Sequence, residues 1–91
     1  MNKLTAPEIE VALENLADWH YAYNAIEKSF TFKNHSLAFA FLTRVALHSE
    51  KINHHANYSG VYNKVTLKLQ THDAGGVTTK DIDFATAVEA F

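Results

Sequence analysis

The sequence predicts a single α+β domain that spans residues 1–91. Three observations support this fold class. Apolar residues recur with helical spacing in three segments, they alternate with polar residues in the segments between, and a chain of 91 residues has room for one domain only. The predicted order is α-β-β-α-β-β-α, with a four-stranded antiparallel sheet and all three helices packed on one face.

The first helix is predicted over about residues 6–17. Thr5-Ala6-Pro7-Glu8 is a capping-box pattern with proline in the first turn, where a missing N–H is tolerated. Ile9, Leu13 and Leu16 then fall on one face, which is typical of a helix packed on a core.

A β-hairpin follows, because the apolar period changes from helical to two. Asn24-Ala25 is the predicted turn, since asparagine tolerates the left-handed conformation. The apolar side of the two strands consists of Trp19, Tyr21, Tyr23, Ile26, Phe30 and Phe32.

The second helix is predicted from about Leu37 to Asn53, with Asn34 or Ser36 as its N-cap. Its segment 37–47 is apolar nearly all the way round, which is typical of a helix that is buried on most sides. The sheet of so small a domain covers only one of those sides. We therefore expect a homodimer or homotetramer built on this helix.

A second hairpin is predicted over residues 56–72, with Asn63-Lys64 as its turn. Counting outward from that turn places His55 opposite His72. A shift of the turn by one residue would move the partner to about Asn53. In either register, two groups of histidines come to the same end of the hairpin.

The last helix is predicted after a loop at residues 73–76. Thr78-Thr79-Lys80-Asp81 is a second capping-box pattern and marks its start. The apolar side of this helix consists of Ile82, Phe84, Ala85, Val88 and Phe91.

Composition excludes several classes of protein. The formal net charge is −2 and the eight Lys and Arg residues are scattered, so the basic patch of a nucleic-acid-binding protein is missing. No cysteine is present, which excludes disulfides and thiolate zinc sites. No apolar run is long enough to span a membrane and the N-terminus lacks an apolar signal segment, so a soluble cytoplasmic protein is expected.

A cluster of histidines and a carboxylate suggests proton-transfer chemistry. Glu50 and His54 are four residues apart, hence neighbours on one face of the second helix, and we expect Glu50 to orient His54. Taken alone, this pair and the adjacent His55 could merely stabilise the helix C-terminus. The predicted convergence with His72 favours a general acid–base role, because imidazole titrates near neutral pH.

Other roles are weighed beside this one. Asp81 is expected mainly to cap the last helix, while Thr71 and Asp73 flank His72 and could orient it. Three histidines could also bind zinc. That alternative is disfavoured because the spacing His-Glu-x-x-His is absent and adjacent histidines such as His54 and His55 rarely chelate one ion. We expect no metal.

The same positions resemble the signature of the pterin-4a-carbinolamine dehydratase family. That signature is an acidic residue, three spacers and two adjacent histidines, followed by an aromatic residue, another histidine and an aspartate. Segments 41–47, 61–65 and 71–76 are similar to the family as well, and the resemblance covers essentially the whole chain. The signature positions are held here by Glu50, His54, His55, Tyr62, His72 and Asp81.

The resemblance implies an enzyme that dehydrates a 4a-hydroxytetrahydropterin to quinonoid dihydropterin, so that tetrahydropterin is recycled for aromatic amino-acid hydroxylases. It implies no metal and no organic cofactor. In this hypothesis His54 and His72 share the acid–base work, His55 positions the substrate, and Glu50 orients His54.

One segment departs from the family. The family has Pro-Glu-Trp after the paired histidines, and this chain has Ala56-Asn57-Tyr58. Asn57, Tyr58 and Asp81 are expected to bind or orient the substrate, and the changed segment is expected to alter the affinity for it.

The resemblance also implies a function that is not catalytic. Relatives in animals act as dimerisation cofactors of a homeodomain transcription factor, through the helix surface on which this chain would self-associate. Retention of all three histidines favours the enzyme, because an oligomerising module would not need them.

Overall fold

The computed structural model describes residues 2–91 and has the predicted order of elements. The fold class is confirmed: three helices and a four-stranded antiparallel sheet form one compact domain. The elements are α1 (Ala6–Leu13), β1 (His20–Ala22), β2 (Ala25–Thr31), α2 (His35–Ile52), β3 (Asn57–Val61), β4 (Lys64–Leu69), a 3₁₀ turn (His72–Ala74) and α3 (Thr79–Glu89).

The sheet has the strand order β1-β2-β4-β3, and all its pairings are antiparallel. Alternate residues of β4 are buried, which places the core on one face. On the opposite face the hydroxyls of Ser29 and Thr66 lie 2.9 Å apart and exposed. The core contributed by the sheet and the helices includes Ile9, Trp19, Ile26, Phe41, Val45, Val65, Leu67, Leu69, Phe84 and Val88.

α1 is shorter than predicted. It ends at Leu13, and residues 14–18 form turns instead of continuing the helix. Asp18 has a φ of 68°, in the left-handed region, and this conformation reverses the chain into β1. Leu16 is nevertheless buried, as its place on the apolar face predicted.

The predicted turn of the first hairpin, Asn24-Ala25, is wrong, because the turn lies one residue earlier. Ala22 pairs with Ala25, so Tyr23 and Asn24 form the turn, both with positive φ. Tyr23 is consequently 94% exposed and does not belong to the apolar side of the hairpin.

The second hairpin shows the same shift, so the predicted turn Asn63-Lys64 is wrong as well. Val61 pairs with Lys64, and Tyr62 takes a φ of 52°. Asn63 is held by Phe32, the residue that follows β2: its amide nitrogen donates to the carbonyl of Phe32 at 2.8 Å, and its own carbonyl accepts from Phe32 N. Continued past the strand ends, this register sets position 72 against position 53, the predicted alternative, and not against position 55.

α2 begins after Asn34, whose Oδ1 accepts from Leu37 N at 2.9 Å; Ser36 is not the cap. The helix buries Ala38, Phe41, Val45 and Ser49 against the core and leaves other apolar side chains exposed, among them Phe39 and Leu47. Within residues 2–91, every helix is too short or too polar to cross a membrane.

Candidate active site

Asp81 occupies the third position of α3 and is completely buried. One carboxylate oxygen, Oδ2, accepts from Thr78 N at 2.9 Å and so satisfies an N–H group of the first helical turn. The other oxygen, Oδ1, lies 2.6 Å from Nε2 of His54. Asp81 therefore caps the helix, as expected, and also holds a histidine, which the capping pattern alone did not predict.

Two threonines complete the surroundings of this carboxylate. Thr71 Oγ1 donates to Asp81 Oδ2 at 2.9 Å and lies 2.7 Å from Thr78 Oγ1. Because the only hydrogen of the Thr71 hydroxyl goes to the carboxylate, Thr78 must donate to Thr71. Thr78 Oγ1 in turn accepts from Lys80 N at 3.2 Å. Each hydroxyl therefore has one orientation.

His54 reaches Asp81 because α2 ends shortly before His54 and the chain turns away from the helix axis. The helix ends at Ile52, Asn53 takes the left-handed conformation (φ 53°, ψ 45°), and His54 N donates to Ser49 O at 3.1 Å. The His54 side chain is 11% exposed, and its ring packs edge-on to Phe84 at 6.2 Å. With Nε2–H donated to the carboxylate, Nδ1 is the nitrogen left for chemistry.

The expected contact between Glu50 and His54 is wrong. Glu50 Oε1 instead lies 2.6 Å from Nε2 of His55, and both side chains are exposed. The spacing of four residues holds only while the helix continues, and the helix has ended before His54. Glu50 thus orients His55, while Asp81 orients His54.

A cleft of about 360 Å³ opens beside His54, between α2 and α3. His48, which is not part of the sequence signature, also lines this cleft. The available signal was the spacing of His48 and Ile52, four residues apart on one face of α2. The lining consists of His48, Ile52, His54, Lys80, Asp83, Phe84 and Ala87.

The remaining predicted residues lie outside this cleft. His72 is exposed in the 3₁₀ turn, directly after Thr71 of the buried network. Asn57 is exposed at the start of β3. Tyr58 lines a separate groove beside α2, together with Phe39. The structure therefore joins His54 to Asp81 and His55 to Glu50, and it connects His72 to the first pair only through Thr71.

No metal centre is evident from the side chains: within residues 2–91, histidine, aspartate and glutamate nowhere form a group of three or more that could hold a metal ion.

Comparison with known proteins identifies the family. The model of the family described as pterin 4 alpha carbinolamine dehydratase matches residues 2–91. The chain belongs to this family. The match spans the dyad of His54 and Asp81 together with all three helices and the sheet, so the resemblance seen in the sequence is confirmed.

Two bacterial relatives bear the name "putative pterin-4-alpha-carbinolamine dehydratase". One, from Rhizorhabdus wittichii, is 51% identical over 89 residues, which cover 96% of this chain and 92% of the relative. The other, from Mesorhizobium japonicum, is 52% identical over 85 residues, with coverages of 91% and 87%. The crystal structure of a transcriptional coactivator/pterin dehydratase from Brucella melitensis is also similar, with a TM-score of 0.94, 41% identity, and coverages of 98% and 97%.

Proposed function

We propose that this protein converts a 4a-hydroxytetrahydropterin to quinonoid dihydropterin and water, and so recycles tetrahydropterin for aromatic amino-acid hydroxylases in the cytoplasm. Membership of the dehydratase family supports the substrate class. The observation that carries the proposal is the 2.6 Å contact between His54 Nε2 and the buried carboxylate of Asp81, at the wall of a cleft.

This dyad suits the dehydration. The C4a–O bond breaks, the leaving oxygen takes a proton, and N5 loses its proton as the C4a=N5 double bond forms; no electrons are gained or lost overall. His54 can exchange a proton at Nδ1 while Asp81 fixes the tautomer and the orientation of the ring. One imidazole cannot protonate the leaving oxygen and deprotonate N5 at the same time, so we assign the second of these proton transfers to His72.

The other candidate residues take supporting roles in this proposal. His55, held by Glu50 at the surface, positions the substrate. Asn57 and Tyr58 stand where the family has Glu and Trp, outside the cleft, and in this proposal their neutral or smaller side chains change the affinity for the part of the pterin that extends beyond it. No metal or organic cofactor takes part.

The direct test follows the breakdown of 4a-hydroxytetrahydropterin by ultraviolet absorbance, with and without the protein. We expect an acceleration that survives a metal chelator and is lost in His54→Ala. His20→Ala is the matched control, because His20 is an exposed histidine of β1. Absence of any acceleration by the unaltered protein would refute the proposed activity.

A second function is favoured by the exposed apolar surface of α2. Phe39 is 60% and Leu47 is 65% exposed, on the helix that the sequence predicted to pack against another subunit. This surface supports a homodimer or homotetramer, and it would equally suit a non-catalytic role in dimerising a transcription factor. The Brucella melitensis structure is that of a transcriptional coactivator/pterin dehydratase.

Sedimentation in the ultracentrifuge tests the oligomer. We expect a species larger than the monomer at micromolar concentration, and dissociation in Leu47→Glu. Val11→Glu is the control, since Val11 is equally apolar and 63% exposed, but on α1. A monomer in the unaltered protein would contradict self-association through α2.

A further inference from the structure

Ser49 is a buried serine on the core-facing side of α2, and the proposed reaction does not use it. Burial of a hydroxyl group costs free energy unless the group is hydrogen-bonded, and alanine favours a helix more than serine does, so the place of Ser49 depends on what it contacts. Within residues 2–91 it is one of four buried polar residues. The other three form the network around His54: Thr71, Thr78 and Asp81.

Ser49 contacts the chain on both sides of His55. Its carbonyl accepts from His54 N at 3.1 Å, and its hydroxyl oxygen accepts from Ala56 N at 3.5 Å. The carbonyl bond belongs to the end of the helix and does not depend on the side chain at position 49. The hydroxyl bond exists only because residue 49 is a serine.

The three residues at positions 54–56 alternate in direction. His54 points inward and is largely buried, His55 points outward and is exposed, and Ala56 packs partly buried against the core. Such alternation is typical of an extended chain, in which a rotation of the backbone exchanges inward and outward side chains. Bonds to Ser49 at both ends of this segment therefore fix which of the two histidines faces the buried carboxylate.

We propose that Ser49 is a positioning residue for both histidines and that its hydroxyl acts on them through Ala56 N–H. The bond keeps His54 turned to Asp81 and leaves His55 at the surface. Ala56 stands where the family has proline, whose ring restricts the chain without an N–H group; here the bond to Ser49 supplies the restriction. The effect of Ser49 on catalysis rests on the proposed dehydratase activity, whereas its hold on the two rings does not.

The first experiment is independent of catalysis and uses NMR on the whole protein. In Ser49→Ala, the amide of Ala56 should exchange its hydrogen with water about 3- to 10-fold faster, the size of one lost hydrogen bond. The Nε2–H signal of His54 should broaden, because the ring spends less time on the carboxylate. Ser36→Ala is the matched control, since it removes a serine hydroxyl from an exposed position of the same helix. The proposal requires both changes in Ser49→Ala, and the absence of either overturns it.

The second experiment asks whether a different restraint can replace the hydroxyl. Ser49→Ala should lower kcat for 4a-hydroxytetrahydropterin about 3- to 10-fold, and Ser36→Ala should leave it unchanged. The double variant Ser49→Ala/Ala56→Pro removes both bonding groups, but proline fixes its own φ and holds the preceding residue extended. Neither His55 nor Ala56 has a positive φ, so both are compatible with this change.

We expect the double variant to regain the His54 signal and most of the lost kcat. A double variant that remains as impaired as Ser49→Ala in both measurements would overturn the positioning role, because loss of packing at Ser49 would then explain the defect. If the unaltered protein does not accelerate the reaction, the proposed activity itself fails. The exchange of Ala56 and the His54 signal then decide by themselves whether Ser49 positions the histidines.

Discussion

Asp81→Asn tests whether the buried carboxylate fixes the protonation of His54. The substitution conserves size and replaces one oxygen by an amide NH₂ group. Thr71 and Thr78 both donate to Oδ2, so the asparagine oxygen has to remain on their side. The NH₂ group then faces His54 Nε2, where two donors would meet, and the imidazole must move its hydrogen to Nδ1.

The expected losses follow from this change of tautomer. A charge-assisted hydrogen bond contributes about 1.5–3 kcal/mol and a neutral one about 1 kcal/mol, so the free energy of unfolding should fall by about 0.5–2 kcal/mol. The kcat should fall by about 10²–10³-fold, because Nδ1 can no longer accept a proton. Urea unfolding gives the first quantity, and the absorbance assay on 4a-hydroxytetrahydropterin gives the second.

The chain offers a matched control for Asp81→Asn. Glu8 occupies the same third position of a capping box in α1, where its Oε1 accepts from Thr5 N at 2.8 Å and no histidine is attached. Glu8→Gln should weaken a helix cap and leave kcat unchanged. A kcat for Asp81→Asn within about threefold of the unaltered protein would refute the orienting role of the carboxylate.

Three further outcomes are expected. His54→Ala and His72→Ala should each lower kcat by about 10²–10³-fold, and near-full activity in both variants would dismiss their acid–base roles. Glu50→Gln should change the free energy of unfolding by less than about 1 kcal/mol, because its partner lies with it at the surface; urea titration showing a larger loss would contradict this. Hydrogen bonds from the backbone and hydroxyl of Thr5 lower the pKa of Glu8 in the folded state. The ionised carboxylate therefore stabilises the folded state above pH 4.5, and this stabilisation is lost as the pH falls through the lowered pKa. Acid titration of unfolding should therefore be flatter in Glu8→Gln in that range, and identical curves would disprove the contribution.

Much of the fold could be predicted because local signals agree with tertiary packing. The pattern Thr5–Glu8 marked the start of α1 and the pattern Thr78–Asp81 marked the start of α3, each through bonds that form within one helical turn. The turns were misplaced by one residue because a tyrosine with positive φ is locally unfavourable. In the second hairpin, the bonds between Asn63 and Phe32 fix the register and outweigh that preference.

Two residues of the candidate site could be predicted from the sequence, but their pairing could not. His54 and Asp81 were both candidates, yet their contact joins the ends of two different helices, and no sequence spacing encodes such a contact. The partner of Glu50 was wrong because Asn53 redirects the chain. The place of His48 in the lining of the cleft could not be predicted, because it depends on which face of α2 meets α3.

The fixed hydroxyl orientations around Asp81 limit where protons can travel. From Lys80 N through Thr78 and Thr71, every hydrogen points toward the carboxylate, which also receives the hydrogen of His54 Nε2. A proton passed inward from His54 would find no acceptor beyond Asp81 unless both hydroxyls reversed and Lys80 N lost its bond. The buried network therefore cannot relay protons. In the proposed reaction, every proton that His54 exchanges with the substrate passes through the side of the imidazole that faces away from Asp81.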